Sequence, residues 1–346
     1  MKAVLLDTQG HYHVAELDEP APGPGEVAVR VSYAGIQWGD TMVRDGHFPV
    51  PRPFVPGFEA SGRITAVGEG VDPDRIGSPV AALTAAGACA EVVVAPAALS
   101  LDVGDLPLRT AAGLGWAAPT AYDLVNTAAR VRPGESVLIH AAAGSVGTLA
   151  AQFARTAGAG RIVGVVGSAA RADYAAGFGY DQVVLREEFP AELDDERFDT
   201  ILDPVGGPTR RTGLEQLAPH GRLAVYGNLS TYEPVLADTN DLLTHGRSLI
   251  TYNSSLLSQT HPERLADSAR RALALVADGT VRVDITAEYG LADLALAVQR
   301  LAEGTTHGKS VLRIARPRRV RGVGGGAGWP GAAGRGGTGG GAGIGG

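Results

Sequence analysis

The sequence predicts an α/β protein in which a β-rich unit is combined with a doubly wound parallel sheet. The chain has 346 residues, which is enough for two domains of ordinary size. Its first part, up to about residue 110, contains short β-branched runs separated by Gly and Pro, which is typical of a compact barrel-like unit. From about residue 119 to 253, apolar strands alternate with helices, as in a parallel sheet covered on both faces.

The β-rich unit is predicted from three short apolar runs. They are VAVRVS at 27–32, GRITAV at 62–67 and AEVVV at 90–94. Turn-forming residues stand between them, most clearly in PAPGPG at 20–25. Strands this short, with turns this frequent, favour a barrel-like unit over a parallel sheet.

The second unit is predicted from strands and helices that alternate along the chain. Strands are expected at 136–140, 161–166, 182–185, 198–202 and 221–226, and helices at 120–130, 147–157, 170–178 and 209–217. Two further helices are expected at 264–278 and 291–302, and a strand at 310–314 is predicted to return to the first unit.

The tail at 316–346 differs from the rest of the chain. The last 25 residues contain 15 of the 49 glycines, and the tail carries five arginines and no acids. We expect it to be disordered because it buries too little apolar surface to offset its ordering entropy. Without it the net charge changes from −7 to −12, which argues against nucleic acid as a partner.

Cysteine content and hydropathy predict the compartment. A single cysteine, Cys89, excludes an intramolecular disulfide and a multi-cysteine zinc site. No apolar run reaches the roughly 18 residues of a membrane span, and the first residues lack the apolar core of a signal peptide. We therefore expect a cytoplasmic protein with no membrane partner.

A glycine-containing turn, AAAGSVG at 141–147, predicts a dinucleotide site. It follows an apolar strand directly and precedes a helix directly. Small residues let the backbone approach a pyrophosphate, and the helix N-terminus offers N–H groups and a positive dipole end. The alternative is a tight strand-to-helix turn that holds no ligand.

The end of the next strand favours NADPH over NADH. An NAD site usually places an acid there for the ribose hydroxyls. This chain instead has Ser168 and Arg171, and its first acid is Asp173. A hydroxyl and a guanidinium suit the 2′-phosphate of NADPH. The alternative is that Arg171 is a solvated helix residue.

Several collinear segments together resemble the zinc-independent quinone oxidoreductases of the medium-chain dehydrogenase/reductase superfamily, over residues 1–315. The segments are GIQWGD at 35–40, RDGHFP at 44–49, VPGFEASG at 55–62, VGEGV at 67–71, Thr-Ala at 120–121, VRPG at 131–134, HAAAGSVG at 140–147 and GKSVL at 308–312. The resemblance implies a GroES-like substrate domain at 1–118 and 254–315, a Rossmann NADPH-binding domain at 119–253, and a homodimer.

The resemblance also assigns cofactor-binding residues by position. Thr120 matches a residue near the nicotinamide, and Asn228 matches a residue beside the cofactor. Ser168 and Arg171 match contacts to the 2′-phosphate. The residues matching the pyrophosphate turn are Ala143, Gly144, Ser145, Val146 and Gly147.

No metal site is predicted. Zinc-dependent relatives have a cysteine where this chain has Gln37, and a histidine where it has Phe58. Phenylalanine cannot coordinate a metal, and a catalytic zinc needs three good protein ligands. Glu59 is then expected to be a buried structural carboxylate.

The chemistry that remains is hydride transfer from NADPH to an acceptor that is already electrophilic, a quinone or an activated enone. The candidate catalytic residues are Gln37, where many relatives have asparagine, together with His47 and Phe48. Phe48 stands where many relatives carry a tyrosine, so the proton would come from solvent or from His47. Alternatively, His47 is an exposed loop residue. Aromatic side chains that could stack on a flat acceptor are Trp38, Phe48, Phe54 and Tyr252.

Two other functions stay open. One is an enoyl or alkenal reductase that tailors a specialised metabolite or an acyl thioester. The other is a non-catalytic NADPH-binding sensor.

Overall fold

The computed structural model describes residues 1–314, and the tail predicted to be disordered lies outside them. The first part of the chain contains strands β1 (Lys2–Leu6), β2 (Tyr12–Glu16), β3 (Glu26–Ile36), β4 (Glu59–Val67), β5 (Pro79–Leu83), β6 (Val92–Pro96) and β7 (Ser100–Asp102), with helices α1 (Trp38–Arg44) and α2 (Leu108–Ala111).

The middle part alternates strands and helices. It contains α3 (Ala117–Asp123), β8 (Ser136–His140), α4 (Ser145–Thr156), β9 (Arg161–Val166), α5 (Ala169–Ala175), β10 (Gln182–Leu185), β11 (Phe198–Asp203), α6 (Gly207–Glu215), β12 (Leu217–Val225), α7 (Thr239–His245) and β13 (Ser248–Thr251). The last part contains α8 (Ser254–Thr260), α9 (Pro262–Ala277), β14 (Ile285–Gly290), α10 (Leu294–Ala302) and β15 (Lys309–Arg313).

Two large sheets organise most of these elements, and β1 pairs with β2 in a separate two-stranded sheet. Six strands form a parallel sheet in the order β10-β9-β8-β11-β12-β13. Seven others form a mixed sheet in the order β14-β15-β3-β4-β5-β7, and β6 also pairs with β3. Ser310 of β15 pairs with Ile36 of β3, so the end of the described chain joins the sheet that its beginning forms. The predicted α/β fold, with a β-rich unit and a doubly wound sheet, is confirmed.

Helix α4 packs closely on the parallel sheet because most of its buried residues are small. Gly147, Ala150, Ala151 and Ala154 are all buried, and Phe153 fills the space beside Tyr122 of α3 with ring centroids 5.5 Å apart. This packing fixes the N-terminus of α4 at the carboxyl end of β8, which is where an open α/β sheet binds its ligands.

Several element bounds differ from the prediction. The predicted helix at 120–130 begins earlier, at Ala117, and widens into a π-helical segment over Leu124–Ala128. The predicted helix at 147–157 begins at Ser145. Strand β13 and helix α8 were not predicted, because their short, mixed sequences carry no clear periodicity. Among residues 1–314, no helix combines the length and hydropathy needed to cross a membrane.

Candidate active site

The turn between β8 and α4 has the geometry of a phosphate cradle. Ala141 has a positive φ of 55°, and the Gly144 N–H donates to the Ala141 carbonyl at 2.9 Å. A Cβ on Gly147 would lie 2.5 Å from the Ala141 carbonyl oxygen, so glycine is required for the helix to pack on the turn. The turn thus presents the first N–H groups of a 12-residue helix, which have no carbonyl partner within the helix.

The segment before β15 closes against this turn. Gly308, with φ of 58°, donates its N–H to the Ala143 carbonyl at 2.8 Å. Two residues earlier, the Thr306 carbonyl accepts a hydrogen bond from Arg171 at 2.5 Å. The loop between α10 and β15 therefore links the mixed sheet to the candidate cofactor site.

Two guanidinium groups meet beside the end of β9. Arg171 Nη1 and Arg186 Nη2 lie 3.8 and 3.7 Å from the position that a Cβ on Gly167 would take. Burial and the charge of Arg186 lower the pKa of half-buried Arg171. Ser168, the residue after Gly167, is the N-cap of α5 and has an extended backbone conformation. Like charges held this close favour an anion between them.

Arg186 was not predicted as a site residue. It follows β10 directly, and β10 pairs in parallel with β9, so the ends of both strands meet at one edge of the sheet. A search for cations at the ends of neighbouring strands could have found it in the sequence.

A cavity of about 360 Å³ opens between α1 and the loop after β12. The His47 and Tyr232 rings lie there, with centroids 4.8 Å apart. The cavity is lined by Trp38, Thr41, Met42, Asp45, His47, Asn228, Leu229, Ser230, Thr231 and Tyr232.

Asn228 is held at this cavity by Arg210. The Arg210 guanidinium donates to Asn228 Oδ1 at 3.1 Å and to the Gly227 carbonyl at 2.6 Å, and its Nε donates to the buried Asp203 at 2.7 Å. Because Oδ1 is occupied, the Asn228 amide nitrogen is left as the donor of that side chain. Arg210 was not predicted, and its place on α6 gives no sequence signal for this role.

The structure brings together only some of the predicted site residues. Trp38, His47 and Asn228 share the cavity. Phe48 is 42% exposed and meets Phe58 edge-on with centroids 6.3 Å apart. Phe54 packs among apolar residues of the β-rich unit, and the Tyr252 hydroxyl donates a hydrogen bond to Asp123. Phe48, Phe54 and Tyr252 do not line the cavity.

Gln37 stands apart from the cavity, at the start of α1. Its backbone N–H donates to Asp40 Oδ2 at 2.9 Å, which caps that helix. Asp40 is almost fully buried, and desolvation raises its pKa to about 7.

The side chains at the positions of the zinc ligands in zinc-dependent relatives have other surroundings and partners here. The Phe58 ring is buried and offers no ligand atom. The Glu59 carboxylate accepts a hydrogen bond from the backbone N–H of Trp116 at 2.8 Å. It also forms an ion pair with Lys309, and both charged groups are buried. Within residues 1–314, no cluster of three or more His, Cys, Asp or Glu side chains is placed to hold a metal ion.

Two family models match the chain, one over the β-rich first part and the other over the part that contains the parallel sheet. The model described as the alcohol dehydrogenase GroES-like domain matches residues 23–123. The model described as zinc-binding dehydrogenase matches residues 145–271.

Relatives and solved structures agree with these matches. A quinone oxidoreductase of Pseudomonas aeruginosa is 32% identical over 305 residues, 85% of this chain and 93% of that protein. A mycocerosic acid synthase-like polyketide synthase of Mycolicibacterium smegmatis is 33% identical over 306 residues, 85% of this chain but only 14% of that protein. A mycobacterial protein solved in complex with NADPH has a TM-score of 0.83 and 30% identity, with coverage of 90% of this chain and 99% of that one.

The fold, the glycine turn and these matches place the chain in the medium-chain dehydrogenase/reductase superfamily. Within that superfamily, the chain belongs to the quinone oxidoreductase family. The predicted resemblance is therefore confirmed. The chain spans 14% of the length of the polyketide synthases that it matches.

Proposed function

We propose that this protein transfers a hydride from NADPH to a quinone or a similarly activated enone without a catalytic metal. The observation that carries the proposal is the cavity between α1 and the loop after β12. It has aromatic walls from Trp38, His47 and Tyr232, and the Asn228 amide can donate a hydrogen bond to an acceptor oxygen. Its volume of about 360 Å³ suits a small flat acceptor.

The proposed cofactor is NADPH. The α4 N-terminus and its turn, from Ala143 to Gly147, would hold the pyrophosphate. Arg171, Arg186 and Ser168 would hold the 2′-phosphate through charge-assisted hydrogen bonds. The similarity to a mycobacterial protein solved with NADPH supports this assignment.

A quinone fits the residues present. Phe58 cannot help to bind a Lewis-acid metal, so the acceptor has to be electrophilic by itself. Transfer of one hydride from NADPH and one proton from a donor converts a quinone into a hydroquinone and leaves NADP⁺. The hydroquinone oxygen is stabilised by the aromatic ring, so water, or His47 at the cavity, suffices as the proton donor.

The test is NADPH oxidation by the purified protein with matched acceptors. A quinone series, enals, enones and enoyl thioesters are compared at equal concentration, and hydroquinone formation is measured by chromatography. We expect the highest kcat/KM with quinones. Tight NADPH binding without oxidation by any acceptor would instead support the NADPH-binding sensor.

An enoyl reductase is the second candidate, because the chain is 33% identical to part of a polyketide synthase. Against it stands the exposed Phe48 ring, which lacks the hydroxyl of the tyrosine common among relatives. A kcat/KM for an enoyl thioester above that for every quinone would favour this function.

We also propose a cytoplasmic homodimer. Strand β13 is at the edge of the parallel sheet, and Leu249 on it is exposed, as are Leu236 and Leu243 nearby in sequence. An exposed apolar residue on an edge strand, with others close to it in sequence, favours pairing with a second copy. Light scattering should give twice the chain mass, and Leu249→Lys should give the monomer mass.

The buried free thiol of Cys89 suits a reducing compartment.

A further inference from the structure

The polar groups that line the cavity differ between its two sides. On the α1 side, the Thr41 hydroxyl donates its proton to the Trp38 carbonyl at 2.7 Å. A carbonyl cannot donate, so the direction of this bond is fixed and Thr41 Oγ1 is left with lone pairs alone. Thr41 can therefore offer a ligand in the cavity an acceptor but not a donor.

Asp45, directly after α1, is a second acceptor on that side. Arg44 Nε donates to Asp45 Oδ1 at 2.6 Å, and Arg44 Nη2 donates to Asp45 Oδ2 at 3.0 Å. These bonds lower the pKa of the Asp45 carboxyl, so it is ionised near neutral pH and cannot donate. Each oxygen keeps a lone pair, and the side chain is 43% exposed, so a ligand in the cavity can reach it.

The loop after β12 supplies hydrogen-bond donors on the other side. Oδ1 of Asn228 is occupied by a guanidinium, which leaves its amide nitrogen as a donor. Thr231 Oγ1 accepts the Glu233 backbone N–H at 3.0 Å and keeps its own proton. Ser230 differs, because it donates its proton to the Val205 carbonyl at 2.9 Å. A reducible carbonyl thus finds donors on the loop side that Thr41 and Asp45 do not offer.

The charges at the cavity are unevenly compensated for an anionic ligand. Among the described residues that line it, Asp45 carries a carboxylate and none is a lysine or an arginine. Arg210, which holds Asn228, is paired with the buried Asp203 at 2.7 Å. An anionic acceptor would therefore bring its charge near Asp45 without a permanent cation among the lining residues.

We propose that Asp45, together with Thr41 Oγ1, selects neutral acceptors that carry a hydroxyl group and disfavours anionic ones. This inference rests on the proposed function, because it requires that the hydride acceptor binds in this cavity. The hydroxyl of such an acceptor donates to the α1 side, while its reducible carbonyl accepts from the Asn228 amide. A methyl ether at the same place cannot donate and would bring its oxygen against two acceptors.

The test compares three 1,4-naphthoquinones that carry a hydroxymethyl, a methoxymethyl or a carboxymethyl group at the same carbon of the benzo ring. Each substituent is attached through a CH2 group, so the electrophilicity of the quinone changes little. The full chain is assayed for kcat/KM with NADPH at low and at high salt. The wild type should favour the hydroxymethyl over the methoxymethyl quinone by about tenfold, the effect of one hydrogen bond. It should disfavour the carboxymethyl quinone by about tenfold or more at low salt and less at high salt.

Substitution of Asp45 should change both preferences. Asp45→Asn introduces an amide that donates as well as accepts, so the preference for hydroxymethyl over methoxymethyl should fall to about twofold or less. It also leaves Arg44 without its partner, so kcat/KM for the carboxymethyl quinone should rise relative to the other two. Asp45→Ala should shift both ratios in the same directions. Glu187→Gln, at an exposed position that does not line the cavity, is the matched control and should keep both wild-type ratios.

The possible outcomes are distinct. If the wild type reduces the hydroxymethyl and methoxymethyl quinones with equal kcat/KM, the inference is overturned while the proposed function stands. If Asp45→Asn keeps the wild-type ratios, or changes kcat/KM for all three quinones by the same factor, Asp45 does not select the acceptor and the inference is again overturned. If no quinone oxidises bound NADPH, the proposed function fails as well. Thermal melts show whether each variant folds, and Asp45→Ala decides the question if Asp45→Asn does not.

Discussion

The His47 and Tyr232 rings lie with centroids 4.8 Å apart and an angle of 33° between their planes. His47 follows α1 in the β-rich unit, and Tyr232 lies in the loop after β12 of the parallel sheet. Both line the cavity that we assign to the acceptor. This cavity is therefore built from both units.

Removal of the Tyr232 ring should weaken acceptor binding. Tyr232→Ala is expected to raise KM for a quinone about tenfold, because a stacked aromatic contact is lost. The dissociation constant of NADPH should stay within about twofold. Steady-state kinetics measure the first quantity and fluorescence titration the second. Tyr232→Phe keeps the ring and should behave as the wild type; if it is as impaired as Tyr232→Ala, the phenol hydroxyl and not stacking matters.

The two guanidinium groups should determine the coenzyme preference. Arg171→Glu and Arg186→Gln are each expected to weaken NADPH binding by about tenfold or more, since a charge-assisted contact to the 2′-phosphate is lost. NADH lacks that phosphate, so its affinity should change much less. Arg211→Gln, on the exposed side of α6, is the matched control. Equal losses for NADPH and NADH would contradict this assignment.

The glycine turn gives a comparison between two neighbouring substitutions. Gly147→Ala would place a Cβ 2.5 Å from the Ala141 carbonyl oxygen, and Gly144→Ala would place one 3.2 Å from it. We expect Gly147→Ala to lower the free energy of unfolding by about 1–3 kcal/mol and Gly144→Ala to lower it less. Urea denaturation measures both. The reverse order would mean that the turn relaxes more easily than its packing indicates.

The buried carboxyl of Asp40 should make stability depend on pH. Its pKa in the folded state is about 7, well above the ordinary 3.8 of an aspartate, so between these values the folded state holds more protons than the unfolded state. Stability should therefore be highest below pH about 4 for this group alone and fall as pH rises through about 7.

Asp40→Asn should remove this contribution, on the order of 2–4 kcal/mol between pH 4 and 8. The check is the free energy of unfolding measured at several pH values within that range. Asp18→Asn, at an exposed position, serves as the control. A wild-type pH profile that matches that of Asp40→Asn would show that Asp40 titrates normally.

The ion pair of Glu59 and Lys309 should stabilise the folded state because each buried charge is neutralised by the other. Lys309→Met leaves the Glu59 carboxylate uncompensated and should cost about 3–5 kcal/mol. Addition of Glu59→Gln should recover part of that loss, because the buried charge is removed. Urea denaturation of both single variants and the double variant measures the coupling. Additive losses would show that the two charges are independent.

Local sequence signals predicted much of the fold. The strand SVLIH at 136–140 and the strand at 161–166 were predicted with the bounds that the structure shows, because apolar runs between turn residues define buried strands clearly. Strand β13 was missed because SLIT is short and its first and last residues are polar, so it lacks the apolar run of a buried strand.

The glycine turn at 141–147 was visible in the sequence because all of its parts are contiguous. The cavity was not, since His47 and Tyr232 are far apart along the chain and meet only after folding. The same holds for Arg186 beside Arg171 and for Tyr252 beside Asp123. Chemistry that depends on such long-range pairs requires the tertiary structure.

The most direct test of metal-free hydride transfer is a single-turnover reaction of NADPH with a quinone, catalysed by chelator-treated protein whose metal content has been measured. NADPH carrying deuterium at the transferred position reports whether the hydride moves in the rate-limiting step. We predict that one hydroquinone forms per NADPH consumed, at the rate of untreated protein. Loss of activity on chelation with recovery on addition of zinc, or no oxidation of bound NADPH by any quinone, would contradict the account.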